Sequence, residues 1–118
     1  MRLVAQRMAS AGKMRDRIRF DQRGLDANQV RLGPWEEGFT VWAETTWLRG
    51  GEDVMAQRLE GNQPVAFSIR DSAQARTITT GHRAVDTRTE RTFNVTAASP
   101  SRTPGFIDVL AVSGGAAG

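Results

Sequence analysis

The sequence predicts a mainly β protein, a small antiparallel barrel or sandwich with one short α-helix between its second and third strands. Short runs rich in Val, Ile, Thr and Phe recur along the chain, and turn residues separate them. At 118 residues the chain suits one domain that buries roughly two thirds of its unfolded surface. We expect a single barrel domain over residues 1–112 and a flexible C-terminal tail over 113–118.

The first strand is predicted to begin at Arg15. Charged residues alternate there with Ile18 and Phe20, so these two side chains, with Gln22 as a further candidate, are expected to face the interior. The first dozen residues are compatible with a short N-terminal helix. Segment 23–38 is rich in Gly, Asp, Asn and Pro, which predicts a loop or a long hairpin connection anchored by Trp35.

The most informative segment runs from Thr40 to Asn62. Large residues alternate on both faces over 39–48, which predicts a strand covered on both sides. After the Gly-Gly pair at 50–51, an acidic start and an apolar stripe predict a helix over 52–60, and Gly61 ends it. Such a short helix is marginal alone in water and must pack on something.

Five later runs are predicted to be strands, at 65–70, 76–80, 82–87, 91–97 and 106–112. The inward positions of the predicted strands give a candidate core. Its members are Ile18, Phe20, Val41, Trp42, Ala43, Phe67, Ile69, Phe93 and Val95.

Catalytic and metal chemistry find no support in the sequence, and we expect neither an enzyme nor a cofactor. The chain has no cysteine, which excludes disulfides and thiolate ligands. The single histidine, His82, has no acidic residue at a spacing that implies a dyad, so a surface or hydrogen-bonded role is favoured. The acidic pairs at 36–37 and 52–53 lack accompanying ligands, so we predict no catalytic or metal-binding residue.

The charge is unevenly distributed along the chain. Residues 1–23 carry seven basic and two acidic side chains, whereas residues 24–70 carry four basic and seven acidic ones. Every basic residue except Lys13 is arginine, which suits protein contacts as much as phosphate. The basic end and the acidic middle would let copies dock head to tail, and an unevenly charged solvated surface is an equal alternative.

No segment approaches the length of a transmembrane helix, and the start is too short in its apolar run for a secretory signal. We expect a soluble protein that is intracellular at synthesis, without a membrane partner. An OB-like nucleic-acid binder is an alternative, given an isoelectric point near 10.9 and three tryptophans. That alternative needs exposed aromatic residues interleaved with basic ones. Trp35, Trp42 and Trp47 fall in the acidic middle, so they are expected in the core.

Four motifs, taken in order, carry a resemblance to a known family. They are AGKMRDRIRF at 11–20, VWAETTWLRGGEDVMAQRLEG at 41–61, PVAFSIR at 64–70, and RTFNVTAASP followed by FIDVLAV up to 112. With these motifs the chain resembles the head–tail joining proteins, also called head-closure or stopper proteins, of long-tailed bacteriophages. Gene transfer agents, which are phage-like particles, use similar parts.

The resemblance implies a structural subunit of a homo-oligomeric ring, of twelve or six copies, at the head–tail junction of a virion. The ring would lie below the adaptor and portal proteins, retain DNA in the head, and offer a platform to the tail terminator and tail tube. The connection between the second and third strands would line or close the DNA channel, with Arg49, Gly50, Gly51, Glu52, Asp53, Gln57, Arg58 and Glu60 as candidates. The N-terminal residues Arg2, Arg7, Lys13, Arg15 and Arg17 would meet the adaptor or a neighbouring subunit.

Two alternatives remain open from the sequence. The chain could be another ring component of the same junction, such as an adaptor or tail terminator, or the OB-like binder described above. Salt-dependent DNA binding by the isolated monomer, lost on mutation of Trp42 or Trp47, would favour the binder. Tailless heads that leak DNA in the absence of this protein would favour head closure.

Overall fold

Six antiparallel strands form a closed barrel in the computed structural model, which describes residues 14–25, 27–30, 33–48, 55–56 and 61–113. The strands are β1 (Asp16–Arg23), β2 (Trp35–Trp47), β3 (Gln63–Arg70), β4 (His82–Asp86), β5 (Thr92–Pro100) and β6 (Phe106–Ser113). Around the barrel they follow the order β1-β2-β3-β6-β5-β4, and β4 pairs with β1 to close it. The predicted mainly β antiparallel barrel is confirmed.

The predicted helices fall mostly outside the described residues. Of segment 52–60, the structure describes Met55 and Ala56, which are helical. The predicted N-terminal helix and residues 114–118 of the predicted tail also lie outside the described part. Strand β6 includes Ser113, one residue more than the sequence predicted.

The barrel interior is filled by alternate side chains of all six strands, as period-two alternation requires. Phe67 lies edge-on to Phe93, with ring centroids 5.2 Å apart, and Phe20 packs against Phe39 at 5.6 Å. Of the candidate core residues, eight lie in this interior, Val41 being the one that is only partly buried. They are Ile18, Phe20, Val41, Ala43, Phe67, Ile69, Phe93 and Val95.

The prediction that Trp42 belongs to the core is wrong, because 51% of its surface is exposed. It points outward from β2, on the side of the strand opposite to Ala43, which is fully buried. Trp47, also expected in the core, is 38% exposed at the end of the strand. The strand over 39–48 was predicted to be covered on both sides. Trp42 shows that its outer side is not covered within one subunit.

Strand β2 is longer than predicted, because residues 35–38 belong to it and not to the preceding loop. A bulge makes this possible: Phe20 pairs with Phe39 and Gln22 pairs with Glu36, so two residues of β2 face one residue of β1. Gly38 sits in the bulge, where an added Cβ atom would collide with the carbonyl oxygen of Phe20. The backbone approach therefore requires glycine at this position.

The predicted strand over 76–80 is wrong. Residues Ala75–Thr77 form a 3₁₀ turn, which Ser72 stabilises by accepting a hydrogen bond from the Ala75 amide through its hydroxyl. Ala75 and Ile78 are buried in the core cluster, so the segment covers one end of the barrel. The β-branched composition of this segment suggested a strand, but burial at the barrel end decided its structure.

Candidate interaction surfaces

The two ends of the connection between β2 and β3 are joined to each other by hydrogen bonds at the rim of the barrel. The side-chain amide of Gln63 donates to the carbonyl oxygens of Leu48 at 2.9 Å and Pro64 at 2.8 Å. The Leu48 amide donates to the Pro64 carbonyl oxygen at 3.1 Å. Gly61 has a φ of +88°, a left-handed conformation that favours glycine, just before the chain re-enters β3. Both ends of the connection are thus fixed to the barrel rim.

The candidate channel-lining residues all belong to this connection. Arg49, Gly50, Gly51, Glu52, Asp53, Gln57, Arg58 and Glu60 lie outside the described residues. The described members of the helical segment, Met55 and Ala56, are both exposed. The role of the eight candidate residues in lining the channel therefore stays a prediction from the sequence.

The barrel rim beside this connection is aromatic and charged. The ring of Trp47 packs against Phe93 with centroids 6.0 Å apart, and the guanidinium of Arg91 stacks on Trp47 at 5.3 Å. A cleft of about 380 Å³ opens next to them. Arg88 and Asp16 face each other across it at 4.0 Å. This rim is a rigid, polar-edged base for the connection.

The single histidine of the chain, His82, is held by hydrogen bonds within the fold. His82 is buried, and its Nδ1 accepts a hydrogen bond from the Thr79 amide at 3.1 Å. Of the two roles predicted for His82, the structure therefore shows the hydrogen-bonded one. Within the described ranges, no group of three or more His, Asp or Glu side chains could hold a metal ion. No described helix is long and apolar enough to cross a membrane.

A buried carboxylate organises the outer face of β1, β2 and β4. Asp21 is fully buried, although its neighbour Phe20 already occupies the inward position. The Arg19 guanidinium donates two hydrogen bonds to its carboxylate, at 2.7 and 3.1 Å, and Arg83 donates one at 3.2 Å. The amide of Gly38, in the bulge, lies 3.4 Å from the same carboxylate. Asp21 therefore ties three strands together from outside the barrel.

The environment of Asp21 shifts its pKa in two opposing directions. Burial by itself raises the pKa, since it disfavours the charged carboxylate. The hydrogen bonds from Arg19 and Arg83, with the positive charge of Arg19, outweigh the burial and leave the pKa of Asp21 lowered. The carboxylate is held ionised by its partners.

Arginine side chains stack on the outward-facing tryptophans of the same face. The guanidinium groups of Arg23 and Arg83 each lie 4.7 Å from the centroid of the Trp35 ring. Arg17 lies 4.8 Å from the Trp42 ring, its direct cross-strand neighbour. The N-terminal interface candidates Arg15 and Arg17 are exposed here, and Arg2, Arg7 and Lys13 lie outside the described residues. The interleaving of exposed aromatic and basic side chains, not expected from the sequence, is present.

The opposite side of the barrel has a different character. Strands β5 and β6 carry a single charged side chain between them, Asp108. Its carboxylate accepts a hydrogen bond from the Ser68 hydroxyl at 2.8 Å. Leu110, two residues further on the same outer side, is 39% exposed. Small uncharged residues of β5, Ala97 and Ser99, lie opposite Leu110 and Asp108, so the face is nearly neutral.

Sequence reasoning missed the residues that shape these two faces. Asp21, Arg83, Asp108 and Leu110 were not singled out, because each looks like an ordinary member of a strand. For Asp21 a signal existed: an acidic residue in a strand otherwise punctuated by arginines suggests a shared ion cluster. For Leu110 and Asp108 the sequence offers no such signal, since only the barrel order places them opposite Trp42.

Comparisons with known proteins agree with this architecture. The family model described as phage head completion protein matches residues 9–114. No curated protein matches the chain. Protein SF1141 from Shigella flexneri 2a has a similar solution structure, with a TM-score of 0.61 and 22% identity over 92% of this chain and 98% of that chain. A chain in the virion of a native gene transfer agent particle has a TM-score of 0.56 and 21% identity, over 85% of this chain and 94% of that chain. At these identities the two structures support a shared fold alone.

Proposed function

Because the chain belongs to the phage head completion protein family, and is thus a structural component of the head–tail junction of a virion or phage-like particle, we propose that it is the head-closure subunit. In this role a ring of copies lies below the portal or adaptor ring, retains DNA in the head, and presents a platform for tail attachment. The family match over residues 9–114 supports the location at the junction. The specific role of a stopper rests on the local geometry.

The observation that carries the proposal is the anchoring of the β2–β3 connection. Hydrogen bonds from Gln63 to Leu48 and Pro64 fix both ends of this connection to the rim of a closed barrel. A rigid base and a long connection are what a channel gate requires. In the proposal, Glu52, Asp53 and Glu60 face the channel, where their negative charge repels the phosphate backbone and avoids trapping the DNA.

The other partners follow from the two ends of such a ring. The N-terminal residues Arg2, Arg7, Lys13, Arg15 and Arg17 would contact the adaptor or portal protein or an adjacent copy. The tail terminator or tail tube would bind the other end. Arginine suits such protein contacts, because its planar guanidinium pairs bidentately with carboxylates and stacks on aromatic rings.

Replacing residues 50–60 with a short Gly-Ser linker is expected to abolish DNA retention without unfolding the barrel. The barrel persists because the Gln63 hydrogen bonds and the strand pairing lie outside the replaced residues. The measurement is nuclease-resistant DNA per head in a strain that makes no tails. We expect the variant heads to lose their DNA and the wild-type heads to keep it.

Two outcomes separate the alternatives. Full DNA retention by heads that contain the shortened connection would assign the protein to an adaptor or tail-terminator role instead.

A full-length control, with Glu52, Asp53 and Glu60 changed to glutamine or asparagine, separates loss of the gate from loss of its charge. This control should still retain DNA but is expected to release it more slowly on ejection, because phosphates are no longer repelled.

A nucleic-acid-binding function is the second candidate, and the exposed Trp42 with Arg17 stacked on it favours it. Under that function, the purified monomer would bind single-stranded DNA with an affinity that falls steeply with salt, and Trp42→Ala would abolish the binding. A head-closure subunit needs no such affinity. We infer that Trp42 instead serves a protein contact, for which a specific partner surface is argued below.

A further inference from the structure

Each of the six strands pairs with two neighbours, which leaves little free strand edge in the described barrel. Residues 35–42 of β2 pair with β1 alone, and residues 97–100 of β5 pair with β6 alone. Outward-facing side chains therefore supply most of the described surface that is available for contact between two barrels. The ring in the proposed function, on which this inference rests, needs two such faces on each subunit.

The outer face of β1 and β2 has the features of one partner surface. Trp42 is the most exposed of the three tryptophans whose placement is described, although it stands in the middle of a rigid strand. Arg17 stacks on one side of its ring, and no carboxylate of the described residues lies within ion-pair distance of the Arg17 guanidinium. This face offers an aromatic side chain and a cation to a partner.

The outer face of β5 and β6 has the complementary features. Leu110 is exposed in a surrounding of small residues, which leaves room for a large ring to pack on it. Asp108 accepts from the Ser68 hydroxyl and, among the residues that the structure describes, has no cationic partner. The aromatic ring and the cation of the first face thus each have a counterpart on this face, in Leu110 and Asp108.

The order of the strands places these two faces on opposite sides of the barrel. In the closed order β1-β2-β3-β6-β5-β4, the β1–β2 pair lies directly across from the β6–β5 pair. A contact between two different faces is heterologous, and when the faces are nearly opposite each copy turns only slightly relative to the last. Such contacts generate rings of many subunits rather than closed dimers.

We propose that the Trp42–Arg17 face of one copy docks on the Leu110–Asp108 face of the next copy around the ring. Trp42 packs on Leu110 and the small residues of β5, and Arg17 pairs with Asp108 of the neighbouring copy. The arrangement explains why a large aromatic side chain is left uncovered in a single subunit. It also assigns a partner surface to Arg17, one of the candidate interface residues.

Cysteine cross-linking tests the contact, because the chain has no cysteine of its own. Thr40→Cys lies beside Trp42 on β2, and Ser99→Cys lies beside Asp108 across the β5–β6 pair. Assembled particles carrying both substitutions are treated with a short bis-maleimide. We expect a ladder of covalent multimers from the double variant and only monomers from each single variant. A matched control with Thr80→Cys and Thr89→Cys, in the turns at the two ends of β4, should give monomers.

Several results would contradict the proposed contact. Dimers from a single-cysteine variant would indicate a contact between like faces, and monomers from the double variant in assembled particles would reject this pair of faces. A charge exchange adds a second readout: Arg17→Asp and Asp108→Arg should each reduce ring incorporation by about tenfold or more, and the two together should restore it. Failure of the restoration would reject the Arg17–Asp108 pair. A ladder from particles that retain DNA despite the shortened 50–60 connection would support the interface and refute the stopper role.

Discussion

Replacing Asp21 with alanine is expected to lower the free energy of unfolding by about 3 kcal/mol, because the change leaves two clustered guanidinium groups without their shared carboxylate. Arg19 and Arg83 both donate to Asp21, and their side chains are only 23% and 21% exposed. Removing the anion therefore leaves a poorly solvated pair of like charges next to one another. Urea denaturation of the purified protein measures the effect directly.

A matched control is available in Asp71→Ala. The Asp71 carboxylate also accepts two hydrogen bonds from an arginine, Arg76, but this pair lies at the protein surface. Screening by solvent makes such pairs weak, so the control should change stability far less than Asp21→Ala. Equal effects of the two substitutions would mean that burial of the Asp21 cluster does not matter.

The ion cluster of Asp21, Arg19 and Arg83 should stabilise the folded protein less under acid conditions than near neutral pH. The pKa of Asp21 is lowered in the folded protein, so the unfolded chain takes up a proton at a higher pH than the folded chain does. The stabilisation by Asp21 is therefore complete above the ordinary aspartate pKa of about 3.9 and is lost as the pH falls through the lowered folded value. The stability difference between wild type and Asp21→Ala should stay constant near neutral pH and shrink under acid conditions. A difference that grew with acidification would contradict this assignment.

Replacing Gly38 with alanine is expected to destabilise the barrel by about 3 kcal/mol, which is large for the addition of one methyl group. The new Cβ atom would collide with the carbonyl oxygen of Phe20, and a backbone atom cannot rotate away as a flexible side chain can. Relief requires the β1–β2 bulge to open, which would also withdraw the Gly38 amide from Asp21. Thermal or urea unfolding measures the loss.

Gly81→Ala is the control for this second substitution. A Cβ atom there would meet only the hydroxyl of Thr79, at 3.6 Å, which is ordinary contact. We expect a change within about 0.5 kcal/mol, as for most surface substitutions. If Gly38→Ala were as mild as the control, the bulge would not depend on glycine.

The sequence was informative about the strands because period-two alternation is a local property. Ile18, Phe20, Phe67 and Phe93 lie at alternate positions of short runs bounded by turn residues, and all four fill the interior. The four motifs that carry the family resemblance lie between residues 11 and 112, within the residues 9–114 that match the family model. Their order along the chain was enough to identify the family before any geometry was known.

Other features depended on contacts that no local pattern contains. Alternation alone could not tell which side of β2 faces the core: it put both Trp42 and Ala43 inside, whereas only Ala43 is buried. The 3₁₀ turn at Ala75–Thr77 replaced a predicted strand because that segment covers the barrel end rather than joining the sheet. Asp21 is the buried centre of an ion cluster only because the fold brings Arg83, 62 residues further along the chain, into hydrogen-bond contact with it.

The sequence by itself thus determined the fold class, the approximate limits of most strands, and the family, since these depend on residue order over short stretches. Only the tertiary structure decided which faces are exposed, because closing the barrel fixes which side of each strand meets its neighbours and which meets solvent. It placed Trp42 and Leu110 on opposite sides of the barrel, a relation between residues 68 positions apart. That relation depends on the order in which the strands pair and cannot be obtained from the spacing of residues along the chain.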